Sequence, residues 1–295
     1  MAIVNIKNLK KNFGKVEALK DVSFEIKSGE VFGFIGPNGA GKSTTIRILL
    51  GLLKADAGQA EIFGLDTWKD SVEIHNKISY VPGDVNLWPN LTGGEIIDVF
   101  LSLKNQKHNA KTDQLIEEFA LDTSKKARSY SKGNRQKVAL IAALSSDSDL
   151  YIFDEPTSGL DPLMEQVFQK HILKLKAEGK AILLSSHILS EVEKLCDKIA
   201  IIKNGTIIES GSLAQMRHLT RISLNVVTNK KVSDLKNLIG LHSVEQDDTI
   251  LSVQVDLECL DGLLKHLNNY EIISLNSTPP TLEDLFMRYY ETDKK

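Results

Sequence analysis

The chain has 295 residues, of which 42% are hydrophobic and 25% are charged, and these are the proportions of an ordinary globular protein. Its formal net charge of −3 argues against a general affinity for nucleic acid or for an anionic membrane surface. The length predicts two domains, and the sequence contains no uninterrupted apolar run long enough to cross a membrane.

The first part of the chain, to about residue 215, predicts an α/β fold. Ile3–Leu9 and Val22–Ile26 alternate apolar and polar residues, which indicates an antiparallel edge sheet with one solvated face. Short runs rich in β-branched and apolar residues then predict strands that helices cover on both faces. These runs are Val31–Ile35, Ile78–Val81, Leu150–Phe153, Ala181–Ser185 and Ile199–Ile202.

A glycine-rich segment follows the first of these buried strands. It fits the phosphate-loop pattern G-x-x-x-x-G-K-[ST] and consists of Gly36, Pro37, Asn38, Gly39, Ala40, Gly41, Lys42 and Ser43. In this pattern the glycines let backbone N–H groups point at phosphate oxygens, the lysine reaches the β- and γ-phosphates, and the serine hydroxyl ligates Mg²⁺. Thr44–Leu50 predicts a helix whose positive N-terminal end faces the phosphates.

The region of about residues 88–145 predicts a helical subdomain inserted into the α/β core. Glu95–Leu103 and Thr112–Phe119 have helical patterns, and no clear strand lies near them. Next, the strand at Leu150 ends in two carboxylates, Asp154 and Glu155. Asp154 is placed to hold Mg²⁺ next to the phosphate loop, and Glu155 is placed to polarise an attacking water.

Residues 216–295 predict a second, small α+β domain. The pattern indicates an order of strand, helix, strand, helix and strand, with a further short strand open near Leu241–Glu245, and this order fits a ferredoxin-like topology. The segments are Ile222–Val227, Ser233–Ile239, Thr249–Val255, Leu257–Leu267 and Glu271–Leu275. Thr281 is predicted to cap a final helix. The two cysteines, Cys196 and Cys259, are predicted to be reduced, as in a cytosolic protein.

Taken together, the ordered motifs of residues 1–215 resemble the ATP-binding cassette (ABC) ATPases, the nucleotide-binding subunits of ABC transporters. Besides the phosphate loop and Asp154-Glu155, four further segments match. They are Phe13 for the aromatic that stacks on adenine, Tyr130–Asn134 for the signature with Ser131 and Gly133, Ser158–Asp161 for the D-loop, and Ser185–His187 for the switch histidine.

The resemblance implies an ATPase that uses ATP and Mg²⁺, with Glu155 and His187 as catalytic residues. It also implies a head-to-tail pair of cassettes, in which each ATP lies between the phosphate loop of one and Ser131 of the other. The expected partners are a second ATP-binding subunit, most simply another copy, and integral membrane permease subunits, without nucleic acid. The expected location is the cytoplasm, peripheral on the inner face of the cell membrane through the permease.

The sequence departs from the family pattern at two places. In the signature, Lys132 replaces the first glycine and Asn134 replaces the glutamine. In the Q-loop, Gly83 stands where the family has glutamine or glutamate. A glycine has no side chain that could contact Mg²⁺ or water. Asp84 is the nearest substitute as a metal contact, and the alternative is that it only caps a turn.

One feature bears on the direction of transport. Residues 278–286 resemble the end of cassettes from bacterial exporters of the drug- and antibiotic-resistance type, which favours export of a drug, antibiotic or lipid-like substrate. An importer ATPase is the alternative.

The apolar residues Leu87, Trp88, Pro89 and Leu91 fit either a socket for the permease or the core of the helical subdomain.

Overall fold

The computed structural model describes residues 2–218, 221–235, 238–278 and 283 of the chain. It divides into two compact units, which are Met1–Gly211 and Ser212–Lys295. None of the helices in these described ranges is both long and apolar enough to cross a membrane.

A ten-stranded sheet forms the frame of the first unit, in the order β5-β4-β1-β2-β10-β9-β3-β8-β7-β6. The strands are β1 Ala2–Phe13, β2 Val16–Lys27, β3 Val31–Ile35, β4 Ala57–Ile62, β5 Leu65–Asp66, β6 Ile78–Val81, β7 Leu150–Asp154, β8 Ala181–Ser186, β9 Lys198–Lys203 and β10 Thr206–Ser212. β1, β2, β4 and β5 pair in antiparallel fashion, whereas β9, β3, β8, β7 and β6 are parallel neighbours.

The sequence prediction of five buried strands and an antiparallel edge is confirmed, and the structure shows that the buried strands are parallel. β3 and β7 are buried at every residue because helices cover both faces of the parallel part of the sheet. The sequence did not reveal β4, whose residues Ala57–Ile62 include an alanine pair and a glycine and lack β-branched residues except at the end. Pairing with β1 makes this segment a strand despite its weak propensity.

Seven α-helices of the described chain belong to the first unit, and α8 Leu213–His218 belongs to the second. The seven are α1 Lys42–Leu49, α2 Ser71–His75, α3 Gly93–Leu103, α4 Ala110–Glu118, α5 Lys132–Ser145, α6 Pro162–Ala177 and α7 Leu189–Leu195. α3, α4 and α5 occupy the segment between β6 and β7, where the described chain contains no strand. This is the helical insertion that the sequence predicts. α5 is buried on nearly all sides, so its residues show little of the periodicity that marks a surface helix.

The second unit contains a four-stranded antiparallel sheet of order β12-β13-β11-β14. The elements are β11 Ile222–Thr228, β12 Leu241–Asp247, β13 Ile250–Val255, α9 Leu260–Leu267 and β14 Ile272–Thr278. This strand order is that of the predicted ferredoxin-like topology. Leu263 and Leu267 of α9 join the core of this unit with Leu224 and Val253.

The helix predicted over Ser233–Ile239 is wrong at both ends, because Ser233, Asp234, Leu238 and Ile239 lie outside any helix, whereas residues 236 and 237 are outside the described residues. Asp234 has φ of 60°, a left-handed conformation that an α-helix does not admit. The Ser233 hydroxyl instead hydrogen-bonds the Asp234 carboxylate. The final helix predicted from Thr281 lies outside the described residues except for Glu283. Cys196 and Cys259 are free thiols.

Candidate functional site

The phosphate loop spans the gap between β3 and α1 of the first unit. Gly39 and Gly41 have φ of 80° and 116°, which residues with a Cβ rarely adopt. A Cβ added to Gly36 would overlap the carbonyl oxygen of Ile202 on β9. The loop is therefore closely packed, and it leads into the N-terminus of α1, where free N–H groups favour an anion.

Lys42 begins α1 and has its ammonium folded back over the loop. Its Nζ donates to the carbonyl oxygens of Gly36 at 2.5 Å and Pro37 at 3.3 Å, and it lies 3.5 Å from Glu155 Oε1. The side chain is only 6% exposed, so these three partners, rather than water, stabilise its positive charge. A phosphate that entered the loop would meet this cation.

Ser43, in the first turn of α1, contacts Asp154, at the end of β7. The Ser43 hydroxyl donates to Asp154 Oδ2 at 3.1 Å, whereas Asp154 Oδ1 is buried without a partner among the described residues. An unpaired buried carboxylate oxygen beside a hydroxyl fits the ligand preference of Mg²⁺. Burial, with the charge of Asp154, raises the pKa of nearby Tyr80 to about 12, so its hydroxyl stays neutral.

Glu155 follows the strand in a conformation that points to a functional constraint. Its φ is 51°, in the left-handed region, which costs a residue with a side chain about 1–3 kcal/mol. The backbone is held there because Glu155 N–H donates to the Ser185 carbonyl of β8 at 2.9 Å. The carboxylate contacts His187 Nδ1 at 2.5 Å through Oε2 and Lys42 through Oε1. The structure thus brings Lys42, Glu155 and His187 into one chain of contacts.

The signature segment starts α5, and Ser131 is its N-cap. The Ser131 hydroxyl accepts from Asn134 N–H at 3.3 Å, so it caps this helix, which is compatible with a role toward phosphate. A Cβ on Gly133 would overlap the carbonyl oxygen of Gly159, and Lys132 Nζ donates to Ser158 Oγ at 2.7 Å. The signature is therefore packed against the D-loop of the same chain.

Three further predicted residues lie at the surface. Asp161 accepts from the N–H groups of Leu163 and Met164 and caps α6. Phe13 is 50% exposed, with Lys11 Nζ 5.6 Å from its ring centroid, so it is not a core residue. Asp84 is exposed, next to Gly83, at which an added Cβ would lie 3.2 Å from the Asp154 carbonyl oxygen.

Sequence reasoning missed two buried polar residues at this site. Gln136 of α5 donates to the Pro156 carbonyl at 2.9 Å and so anchors the helix on the loop after Glu155. Glu191 of α7 is 5% exposed and contacts Ser186 and Thr157. No local pattern marks either residue, because both are buried by packing between elements that are distant in sequence.

Comparisons with known proteins agree with this geometry. A family model described as "ABC transporter" matches residues 19–158. A second, described as "ATP-binding protein DrrA1-3-like, C-terminal domain", matches residues 211–290. The second match covers most of the second structural unit.

Two relatives extend over almost the whole chain. The bacitracin transport ATP-binding protein BcrA of Bacillus licheniformis is 32% identical, over 97% of this chain and 96% of its own. The linearmycin resistance ATP-binding protein LnrL of Bacillus subtilis is 30% identical, over 97% of both chains. A solved dimeric ATP-binding cassette, described as a post-hydrolysis state with ADP and Pi, is 27% identical. It has a TM-score of 0.65 and covers 71% of this chain and 98% of its own.

Proposed function

The chain belongs to the ATP-binding subunits of ABC transporters and is an ATPase, and we propose that it powers export through a separate integral membrane permease. The observation that carries the direction of transport is the similarity to BcrA and LnrL, because it extends through the second unit as well as the cassette. The proposed substrate is a drug, an antibiotic or a lipid-like molecule. An importer ATPase stays the alternative.

The residues of the phosphate loop bind and orient ATP in this proposal. The N–H groups of residue 36 and residues 38–44 and the Lys42 ammonium surround the β- and γ-phosphates, and Phe13 offers an exposed ring face for adenine. Ser43 and Asp154 hold Mg²⁺, which neutralises phosphate charge when bound. Asp84 is a further candidate contact to the metal.

Glu155 is the proposed general base. Its carboxylate accepts a proton from the water that attacks the γ-phosphate, and His187 Nδ1 holds that carboxylate in place. The left-handed backbone at Glu155 directs the side chain away from the line of β7 and toward Lys42. The catalytic roles of Glu155 and His187 are thus proposed from one set of contacts around the loop.

We further propose that two copies of the chain enclose two ATP molecules. Ser131, Gly133 and Asp161 of one copy would face the ATP held by the other, because Ser131 starts a helix whose N-terminal N–H groups suit an anion. The dimer would lie on the cytoplasmic face of the membrane, attached through the permease.

An apolar groove in the first unit supports the proposal of a permease partner. The cleft has a volume of about 430 Å³, and its lining includes Pro82, Val85, Leu87, Phe100 and Leu103. Beside it, Trp88 is 50% exposed and its ring centroid lies 5.8 Å from that of Phe100. This exposure favours the socket interpretation of the segment over the core interpretation, since exposed apolar patches are typical of binding surfaces.

The direction of transport is tested by deleting the gene and measuring susceptibility to bacitracin and linearmycin, the antibiotics named for the relatives BcrA and LnrL. We expect greater susceptibility, restored by the wild-type gene and not by a Glu155→Gln variant expressed at the same level. Unchanged susceptibility with impaired uptake of a nutrient would instead support the importer.

For the unusual Q-loop we predict that Asp84 serves the metal through a bound water. Asp84→Asn and Asp84→Ala should then both raise the Mg²⁺ concentration needed for half-maximal ATPase activity, with alanine worse, because the carboxylate charge is lost in both. The measurement is the ATPase rate across a Mg²⁺ titration. If Asp84 only stabilises a turn, asparagine should be nearly neutral, and an unchanged Mg²⁺ dependence in both variants would contradict the metal role.

We propose that the two structural units are separate domains, and that the first is sufficient for nucleotide binding. A chain ending at Gly211 should be soluble and bind ATP with an affinity near that of the full chain, because every matched motif lies before this point. The affinity is measured by calorimetric titration with ATP. We also expect the truncated chain to show altered dimerisation or regulation. An insoluble or nucleotide-blind truncation would show that the second unit is part of the cassette core.

A further inference from the structure

α7 carries a buried acidic residue four positions after His187. Glu191 is 5% exposed, and its Oε2 accepts a hydrogen bond from Ser186 Oγ at 2.9 Å. Thr157 Oγ1 lies 3.5 Å from the same oxygen. Oε1 is buried and has no partner among the described residues.

This environment is unfavourable for a carboxyl group. The pKa of Glu191 is raised to about 7, chiefly by burial and also by the negative charges of Glu165 on α6 and of Glu155, against the opposing hydrogen bonds from Ser186 and Thr157. If Glu191 only filled space, a leucine of similar volume would fill it without the cost of desolvating a polar group. The residue therefore requires an explanation from what its carboxyl contacts.

Glu191 contacts both chain segments that carry the proposed catalytic residues. Thr157 lies two residues after Glu155, and Ser186 lies immediately before His187. A single carboxyl oxygen therefore bridges the loop after β7 and the last residue of β8.

The contact with Ser186 fixes the turn at His187. Ser186 Oγ donates to Glu191 and accepts from Ile188 N–H at 3.0 Å, so both hydrogen bonds join the residue before His187 to residues after it. Because the Ser186 hydroxyl donates its hydrogen bond to Glu191, a lone pair of Ser186 Oγ is free to accept from Ile188 N–H. His187 projects from this turn to Glu155 Oε2.

We propose that Glu191 is a positioning residue for ATP hydrolysis, which acts through Ser186 and Thr157 to hold His187 against Glu155. This inference rests on the proposed function, since it assumes the roles given to Glu155 and His187. Glu191 touches neither nucleotide nor metal in this account, so its loss affects turnover and leaves the binding of ATP unchanged.

The test compares three substitutions in the full chain. Glu191→Leu keeps the volume and removes the acceptor, and it should lower kcat about tenfold with the KM for ATP within about twofold, because a misplaced catalytic group costs turnover. Ser186→Ala should have a similar effect. Glu191→Gln keeps an oxygen acceptor for Ser186 and should recover at least about a third of the wild-type kcat.

A control separates positioning from general destabilisation. Val192 is fully buried beside Glu191 on α7 and makes no side-chain hydrogen bond, so Val192→Ala should lower Tm and leave kcat close to that of the wild type. An equal loss of kcat in Val192→Ala and Glu191→Leu would overturn the proposal, because the effect would then follow stability alone.

The decisive step is a double-mutant cycle with His187→Ala. If Glu191 acts through His187, then Glu191→Leu should lower kcat by less than about twofold in the His187→Ala background. A full tenfold loss in that background would overturn the proposal. If neither Glu155→Gln nor His187→Ala lowers turnover, the proposed function fails at its catalytic site; if both do and Glu191→Leu does not, only the present inference fails.

Discussion

Glu155→Gln is expected to lower the rate of ATP hydrolysis by about 10²–10⁴-fold, because the attacking water loses its base. ATP binding should remain, since the glutamine keeps the shape of the side chain and the phosphate loop is unchanged. The measurement is phosphate release at saturating ATP, together with calorimetric titration of ATP. The structure supports an effect on hydrolysis without an effect on ATP binding. The Glu155 carboxylate contacts Lys42 and His187, and of these two residues only Lys42 belongs to the phosphate loop.

A matched variant controls for the removal of a negative charge. Glu178 is exposed at the end of α6, so Glu178→Gln should hydrolyse ATP at the wild-type rate. Hydrolysis by Glu155→Gln at the wild-type rate would remove Glu155 from its proposed role.

Lys42→Ala is expected to weaken ATP binding itself, by about 10–100-fold, which corresponds to the loss of a hydrogen bond from a charged donor. The side chain is almost fully buried and donates to Gly36 and Pro37, so its removal also leaves two loop carbonyls without this partner. The affinity is measured by calorimetry. The lost charge and the loosened loop both weaken the binding of ATP.

The control for this variant is a lysine at the surface of the same unit. Lys69 is exposed between β5 and α2, and Lys69→Ala should leave the affinity for ATP unchanged. An unchanged affinity in Lys42→Ala would count against the phosphate-loop assignment.

Much of the site could be predicted from the sequence because its backbone is encoded locally. The glycines at positions 36, 39 and 41 specify a loop that other residues do not fit, and the flanking apolar runs specify β3 and α1. The order of strands in the sheet could not be derived in the same way. It depends on pairings such as β3 with β8 and β9, which are far apart along the chain.

The remainder of the site depends on tertiary packing. Nothing in the residues around Lys132 predicts its contact with Ser158, because the two side chains meet only when α5 packs on the loop after β7. The burial of Glu191 has the same origin. The helix predicted over Ser233–Ile239 fails where it should begin, because the apolar pattern there is compatible with a helix and does not reveal the left-handed backbone at Asp234.

The central claim of this account is that ATP holds two copies of the chain together and that hydrolysis at Glu155 releases them. The most direct test is the molar mass of Glu155→Gln, measured by light scattering on a sizing column with Mg²⁺ and either ATP or ADP. We predict the mass of two chains with ATP and of one chain with ADP. The mass of one chain in both nucleotides, with ATP binding established by calorimetry, would contradict the claim.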